Sequence, residues 1–143
     1  MILYLDTSAF IKLYVGEPGA EIVRPAVAKA TLIHSHWITY PEMRSALARL
    51  FRMRRETADA HKRHKLEFEA DWKTVYAMLP DERLLRRAGE LAERFSLRGY
   101  DSVHLAAAES LISHTRDFLY FASFDNALND TASELGLRLL TTA

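Results

Sequence analysis

The sequence predicts an α/β protein, a parallel β-sheet with helices laid over both faces. Three observations predict it. Residues 2–5 and 118–122 are short, continuous apolar runs of the kind found in strands buried on both sides. Each run ends abruptly in acidic and hydroxyl residues, Asp6-Thr7-Ser8 and Ser123-Phe124-Asp125, and apolar residues at helical spacing follow at once. Strand-like and helix-like stretches then alternate without an internal repeat, linker or low-complexity segment, so a single domain over residues 1–143 is expected.

Taken in order, the strand at 2–5 delivers Asp6 to its carboxyl end, and Phe10, Leu13 and Tyr14 begin a helix. Gly16 and the Glu17-Pro18-Gly19 cluster mark a turn. Ile22, Val23, Ala26 and Val27 give a helix over about 20–29, kinked or divided at Pro25. Residues 31–37, Thr-Leu-Ile-His-Ser-His-Trp, read as a second strand. Pro41 suits the first turn of the next helix, where Met43, Leu47, Leu50 and Phe51 share a face and Glu42 stands at the N-terminus, just past a strand end.

Glu56-Thr57 splits the following region into a helical hairpin. Its second helix carries Phe68, Trp72, Val75, Tyr76 and Leu79 on one stripe, and residues 77–79 offer a short edge strand ending at Pro80. A helix over 82–95 buries Leu84, Ala88, Leu91, Ala92 and Phe95. Gly99 suits a helix C-cap or tight turn, and Asp101 sits where a helix over 103–113 begins. The strand at 118–122, a helix bearing Leu128, Ala132 and Leu135, a cap at Gly136 and a last strand at 137–140 complete the chain.

Composition narrows the function. The chain has 143 residues, 49% hydrophobic and 27% charged, a profile of a soluble globular protein with room for a sizeable core. It has no cysteine, which removes disulfides and thiolate metal sites. No apolar run is long enough to span a bilayer, and the first residues carry neither a basic region nor a small-residue cleavage site. A cytoplasmic location is therefore expected. The formal net charge is zero, so nucleic-acid binding has to come from local patches.

Right-handed crossovers put Asp6, Glu42 and Asp125 along the carboxyl rim of such a sheet, and Asp101 is inferred to join them. Each acid has a plainer reading as a helix cap. A real cluster needs neutralising, because two carboxylates 4–5 Å apart repel by roughly 3–4 kcal/mol at an effective dielectric near 20. All-oxygen donors point to Mg²⁺ or Mn²⁺ and not to zinc. The chemistry such ions favour is phosphodiester hydrolysis, with no nucleophilic serine required.

Polar positions from Arg44 to Lys65 are mostly basic. Arg44, Arg49, Arg52 and Arg55 are candidates for RNA or partner binding, with a solvated helix face as the ordinary alternative. His61 and His64 read as extensions of the same face.

Four stretches resemble the PIN-domain ribonucleases, and most of all the VapC-type toxins of toxin–antitoxin pairs: Leu-Asp-Thr-Ser-Ala-Phe-Ile-Lys-Leu-Tyr (5–14), Glu-Met-Arg-Ser-Ala-Leu-Ala-Arg (42–49), Tyr-Asp-Ser-Val-His-Leu-Ala-Ala-Ala (100–108) and Phe-Asp-Asn-Ala-Leu (124–128). They occur in the family's order and span nearly the whole chain. The resemblance implies a three-layer α/β/α sandwich with a mainly parallel sheet of four or five strands. It implies a catalytic and metal-holding site of Asp6, Glu42, Asp101 and Asp125, and Mg²⁺- or Mn²⁺-dependent endoribonuclease activity on tRNA, rRNA or mRNA. It also implies a homodimer and a small cognate antitoxin.

Thr7, Ser8 and, more weakly, Ser123 match hydroxyl positions able to place water or phosphate, and serve equally as caps. His104, one turn past Asp101, reads as a packing residue and not a ligand, and no fifth acid is expected. The hairpin at 43–79, with Leu13 and Tyr14, offers a groove for the antitoxin, with ordinary core as the alternative reading of the same stripes. The competing reading is a non-catalytic RNA- or protein-binding module of the same fold. Phosphotransfer through Asp6 would need a nearby activating lysine, for which the sequence offers no convincing candidate.

Overall fold

The computed structural model describes residues 1–140. Its centre is β1 (Ile2–Leu5), which is buried throughout. Ile2 and Tyr4 enter one hydrophobic cluster and Leu3 and Leu5 the opposite one. A strand covered on both faces has no solvent side to mark with polar residues, hence the unbroken apolar run.

β1 pairs in parallel with β2 (Leu32–His36) on one side and β4 (Leu119–Ala122) on the other. Two parallel edge strands, β3 (Tyr76–Met78) and β5 (Arg138–Leu139), complete a five-stranded sheet in the order β3-β2-β1-β4-β5. After β3 the chain crosses back over the sheet to begin β4 beyond β1. The strand order thus reverses at β1, where parallel sheets open a crevice at their carboxyl ends.

One helical layer holds α1 (Thr7–Phe10), α2 (Ala20–Lys29), α3 (Thr39–Arg52) and α4 (Ala58–Trp72), and a 3-10 turn at Ile11–Leu13 extends α1. The other layer holds α5 (Glu82–Phe95), α6 (Gly99–Ile112) and α7 (Asn126–Glu134). The resulting three layers agree with the expected sandwich.

Several boundaries differ from the expectations, each for a local reason. α2 continues through Pro25. α4 stops at Trp72, where the Thr74 hydroxyl donates to the Asp71 carbonyl. The stripe expected to run on to Leu79 therefore breaks, and Tyr76 and Leu79 are exposed. Gly99 is the first residue of α6 and not a cap; Ser96 takes the left-handed position that ends α5, at φ 55°.

Of its two readings, groove or core, Tyr14 takes the core. Its ring stacks on Phe10, and its hydroxyl donates to Asp71 at 2.8 Å. His61 and His64 do not extend a basic face; both imidazoles hold Glu56, at 3.1 and 2.8 Å. Gly19 meets a real demand: its φ is +104°, and a Cβ there would lie 2.5 Å from the Phe124 ring, beside Asp125. Among the described residues no helix is long and apolar enough to cross a membrane.

Candidate functional site

Asp6 leaves the end of β1 as the N-cap of α1 and is almost fully buried. Its Oδ1 accepts from the Ser8 hydroxyl at 2.7 Å and from the Ala9 N–H at 2.9 Å. The cap reading and the site reading therefore both describe it. Burial pushes its pKa up, against the opposing pull of His104 and the hydroxyls of Ser123 and Ser8. No lysine or arginine pairs with it among the described residues.

Glu42 stands in the first turn of α3. Its Oε1 accepts from the Thr7 hydroxyl at 2.7 Å and meets His104 Nε2 at 2.8 Å. On its far side His104 Nδ1 lies 2.9 Å from the buried Tyr4 hydroxyl. A relay of three side chains thus runs from the sheet to the rim. Burial would raise the Glu42 carboxyl, but the His104 and Thr7 hydrogen bonds outweigh it and hold the pKa below the ordinary value. His104 is a buried orienting group for Glu42, more specific than the packing role read from the sequence.

Asp101 lies in the first turn of α6, and Asp125 is the N-cap of α7, its Oδ1 accepting from the Leu128 N–H at 2.9 Å. The Arg98 guanidinium spans the two, donating from Nε to Asp101 Oδ2 at 2.9 Å and placing Nη2 3.7 Å from Asp125 Oδ2. The hydroxyls knit the crevice together. Ser8 accepts the Phe124 N–H at 2.9 Å and lies 3.5 Å from Ser123 Oγ, which accepts the Asp125 N–H. Asn129 donates to the Ser123 carbonyl and so locks the same turn.

The donor set, carboxylate oxygen throughout, fits a hard divalent cation. Its spacing is open: among the described residues no three acidic or histidine side chains converge tightly enough to hold a metal ion, and Arg98 occupies the space between the outer two.

Beside Glu42 opens a groove of about 730 Å³, lined by Thr7, Ile11, Leu50, Met53 and two cations, Arg49 and Arg55. Arg52 lies outside its lining. Arg44 is turned away to Tyr40 and Glu69, with Glu69 Oε1 at 2.8 Å. Sequence reading did not single out Arg98 or the Tyr4–His104 contact. The i, i+3 spacing of Arg98 and Asp101 was a usable signal; the contact between residues a hundred positions apart left none.

Comparison with known proteins places the chain in a family. A PIN domain family model matches residues 3–134. Ribonuclease VapC45 of Mycobacterium tuberculosis is 31% identical over 142 residues, covering 96% of this chain and 94% of that protein. Ribonuclease VapC46 of the same species is 30% identical over 138 residues, covering 96% and 95%. The crystal structure of FitAcB from Neisseria gonorrhoeae superposes with a TM-score of 0.68 at 19% identity, over 97% of this chain and 96% of that one, a likeness of fold. With the acids on the expected elements and these relatives spanning nearly its whole length, the chain belongs to the PIN-domain family and is a relative of the VapC ribonucleases.

Proposed function

We propose that this protein is a divalent-metal-dependent endoribonuclease, the toxin of a cytoplasmic toxin–antitoxin pair, with Asp6, Glu42, Asp101 and Asp125 as its catalytic and metal-holding acids. The observation that carries this reading is Asp6: a buried carboxyl at the end of the central strand, held by the Ser8 hydroxyl and the Ala9 N–H and with no lysine or arginine paired to it among the described residues. Leaving a carboxylate in that position is costly unless a cation joins it. The kinship with the VapC ribonucleases supplies the substrate class, RNA.

Bound among these acids, Mg²⁺ or Mn²⁺ would neutralise their repulsion and polarise both a phosphodiester and the water that attacks it. The chain's own residues do the rest. Ser8 and the Ala9 N–H fix one oxygen of Asp6 and so orient the carboxylate. Thr7 and His104 both engage Glu42 Oε1 and so fix the carboxylate. Arg49 and Arg55 attract the phosphates of an RNA lying in the groove. The apolar walls of that groove, Ile11, Leu50 and Met53, suit an antitoxin helix, and a homodimer belongs to the same reading.

The test is cleavage of total cellular RNA by the purified, antitoxin-free protein with Mg²⁺, Mn²⁺ or EDTA, alongside Asp6→Asn and Asp101→Asn. Discrete fragments that require metal and vanish in both variants are expected. Cleavage by either variant at the wild-type rate overturns the assignment of the acids. Metal-independent binding without cleavage would make the protein a binding module.

A further inference from the structure

We propose that Arg98 is a built-in counter-cation for this site: it holds Asp101 and Asp125 apart from a metal ion, and on metal binding it is released to grip the RNA phosphate. The inference rests on the nuclease reading above.

The geometry is specific. Arg98 is the residue before α6, Asp101 is in the first turn of that helix, and Asp125 caps α7, so one guanidinium ties together the starts of two helices. Its charge also reaches Glu42, helping to lower that carboxyl's pKa. No other arginine or lysine contacts any of the four acids among the described residues. It faces Asp101 Oδ2 and Asp125 Oδ2, and a guanidinium and a divalent ion would compete for the same carboxylates.

The tie is built to be broken. The Arg98 side chain is 81% exposed, so water and salt screen its pairs. Arg87 shows what a fixed arginine looks like in the same molecule: it grips Glu109 with two hydrogen bonds at 2.7 and 2.8 Å and is half-buried. Once freed, the planar fork of Arg98 stays tethered beside the acids, and such a fork matches phosphate oxygens in pairs. One side chain is thus expected to oppose metal binding and to favour RNA binding.

Those opposite signs make the test. Wild type, Arg98→Gln and Arg98→Lys are titrated with Mn²⁺ by calorimetry in low salt without RNA, and KM for RNA is then measured at saturating Mn²⁺. Removing an exposed ion pair of this kind shifts a competing equilibrium about two- to fivefold. Arg98→Gln is expected to bind Mn²⁺ more tightly by that factor, with the gain fading at high salt, while its KM for RNA rises. Arg98→Lys should fall between.

Equal or weaker Mn²⁺ affinity in Arg98→Gln overturns the proposal and leaves the nuclease reading intact. Tighter Mn²⁺ binding with an unchanged KM overturns the phosphate role. Absence of saturable Mn²⁺ binding and of cleavage in all three proteins defeats the nuclease reading itself. Far-UV circular dichroism confirms that each variant is folded.

Discussion

The relay Tyr4–His104–Glu42 predicts a measurable energetic coupling. His104 is 2% exposed and Tyr4 is fully buried, so neither replaces a missing partner with water. Truncating His104→Ala removes a hydrogen bond to a carboxylate, about 1.5–3 kcal/mol, and strands the Tyr4 hydroxyl, about 1–3 kcal/mol. The expected loss is about 3–5 kcal/mol, large against the 5–15 kcal/mol stability of an ordinary domain. Tyr4→Phe alone keeps the ring's stack on Phe121 but strands the buried His104 Nδ1, so it should cost about 1–3 kcal/mol. In the double variant no hydroxyl is left stranded, so it should be more stable than the sum of the two losses by about 1–2 kcal/mol. Urea unfolding of the four proteins at pH 7 in EDTA completes the cycle. A coupling below about 0.5 kcal/mol would refute the reasoning, since distant, independent sites already agree within that margin.

Other perturbations separate function from stability. Asp6→Asn should raise the melting temperature of the metal-free protein while abolishing cleavage: the folded-state pKa of Asp6 is raised, so its charge opposes folding above that pKa, and the gain should vanish as pH falls below the ordinary carboxylate range. His36 has its pKa lowered to about 4, chiefly by burial and then by the charge of His104. Protonating it therefore opposes folding, and stability should fall as pH drops from about 6.5 toward 4, by at most about 3 kcal/mol, a slope that His36→Gln should flatten in pH-resolved urea melts. Arg49→Ala with Arg55→Ala should weaken RNA binding and lower the slope of log K against log salt by about one for each phosphate no longer neutralised, and an unchanged slope in anisotropy titrations would remove these residues from the RNA path.

Much of this was legible in the sequence because the signals were periodic or terminal. The helices at 20–29 and 82–95 fall on the residues expected, since their apolar positions repeat over several turns. Asp6 and Asp125 could be singled out because each follows a strand end marked by an abrupt change of polarity, and Glu42 because Pro41 marks the first turn of a helix that follows a strand. The helical stripe past Trp72 misled because Val75, Tyr76 and Leu79 keep helical spacing while the backbone has already turned into an edge strand. The sequence leaves Tyr14 open because an aromatic with a polar tip reads alike in a groove and in a core, and its contact with Asp71, 57 residues away, decides between them. His104 looked like a lone histidine because both its partners, Tyr4 and Glu42, are distant in sequence.

The four acids are held by two different means, and the difference follows their depth. Asp6 and Glu42 form the inner pair, supported by groups of the interior: hydroxyls, a backbone N–H and the His104 ring. Asp101 and Asp125 form the outer pair, supported by helix N-termini and by a solvated guanidinium. Salt screens exposed pairs far more than buried contacts, so ionic strength should act on the outer pair. The shifted pKa values of Asp6 and Glu42 run in opposite directions, so pH should act on the inner pair and move its two members apart. As pH falls, Asp6 gains its proton first while Glu42 keeps its charge through the His104 and Thr7 bonds. The inner pair then carries one negative charge instead of two, which ends the burial cost of the Asp6 charge at the expense of the pair's hold on a cation. Weak acid should therefore stabilise the metal-free site and weaken metal binding together, whereas added salt should loosen only the arginine that guards the outer pair.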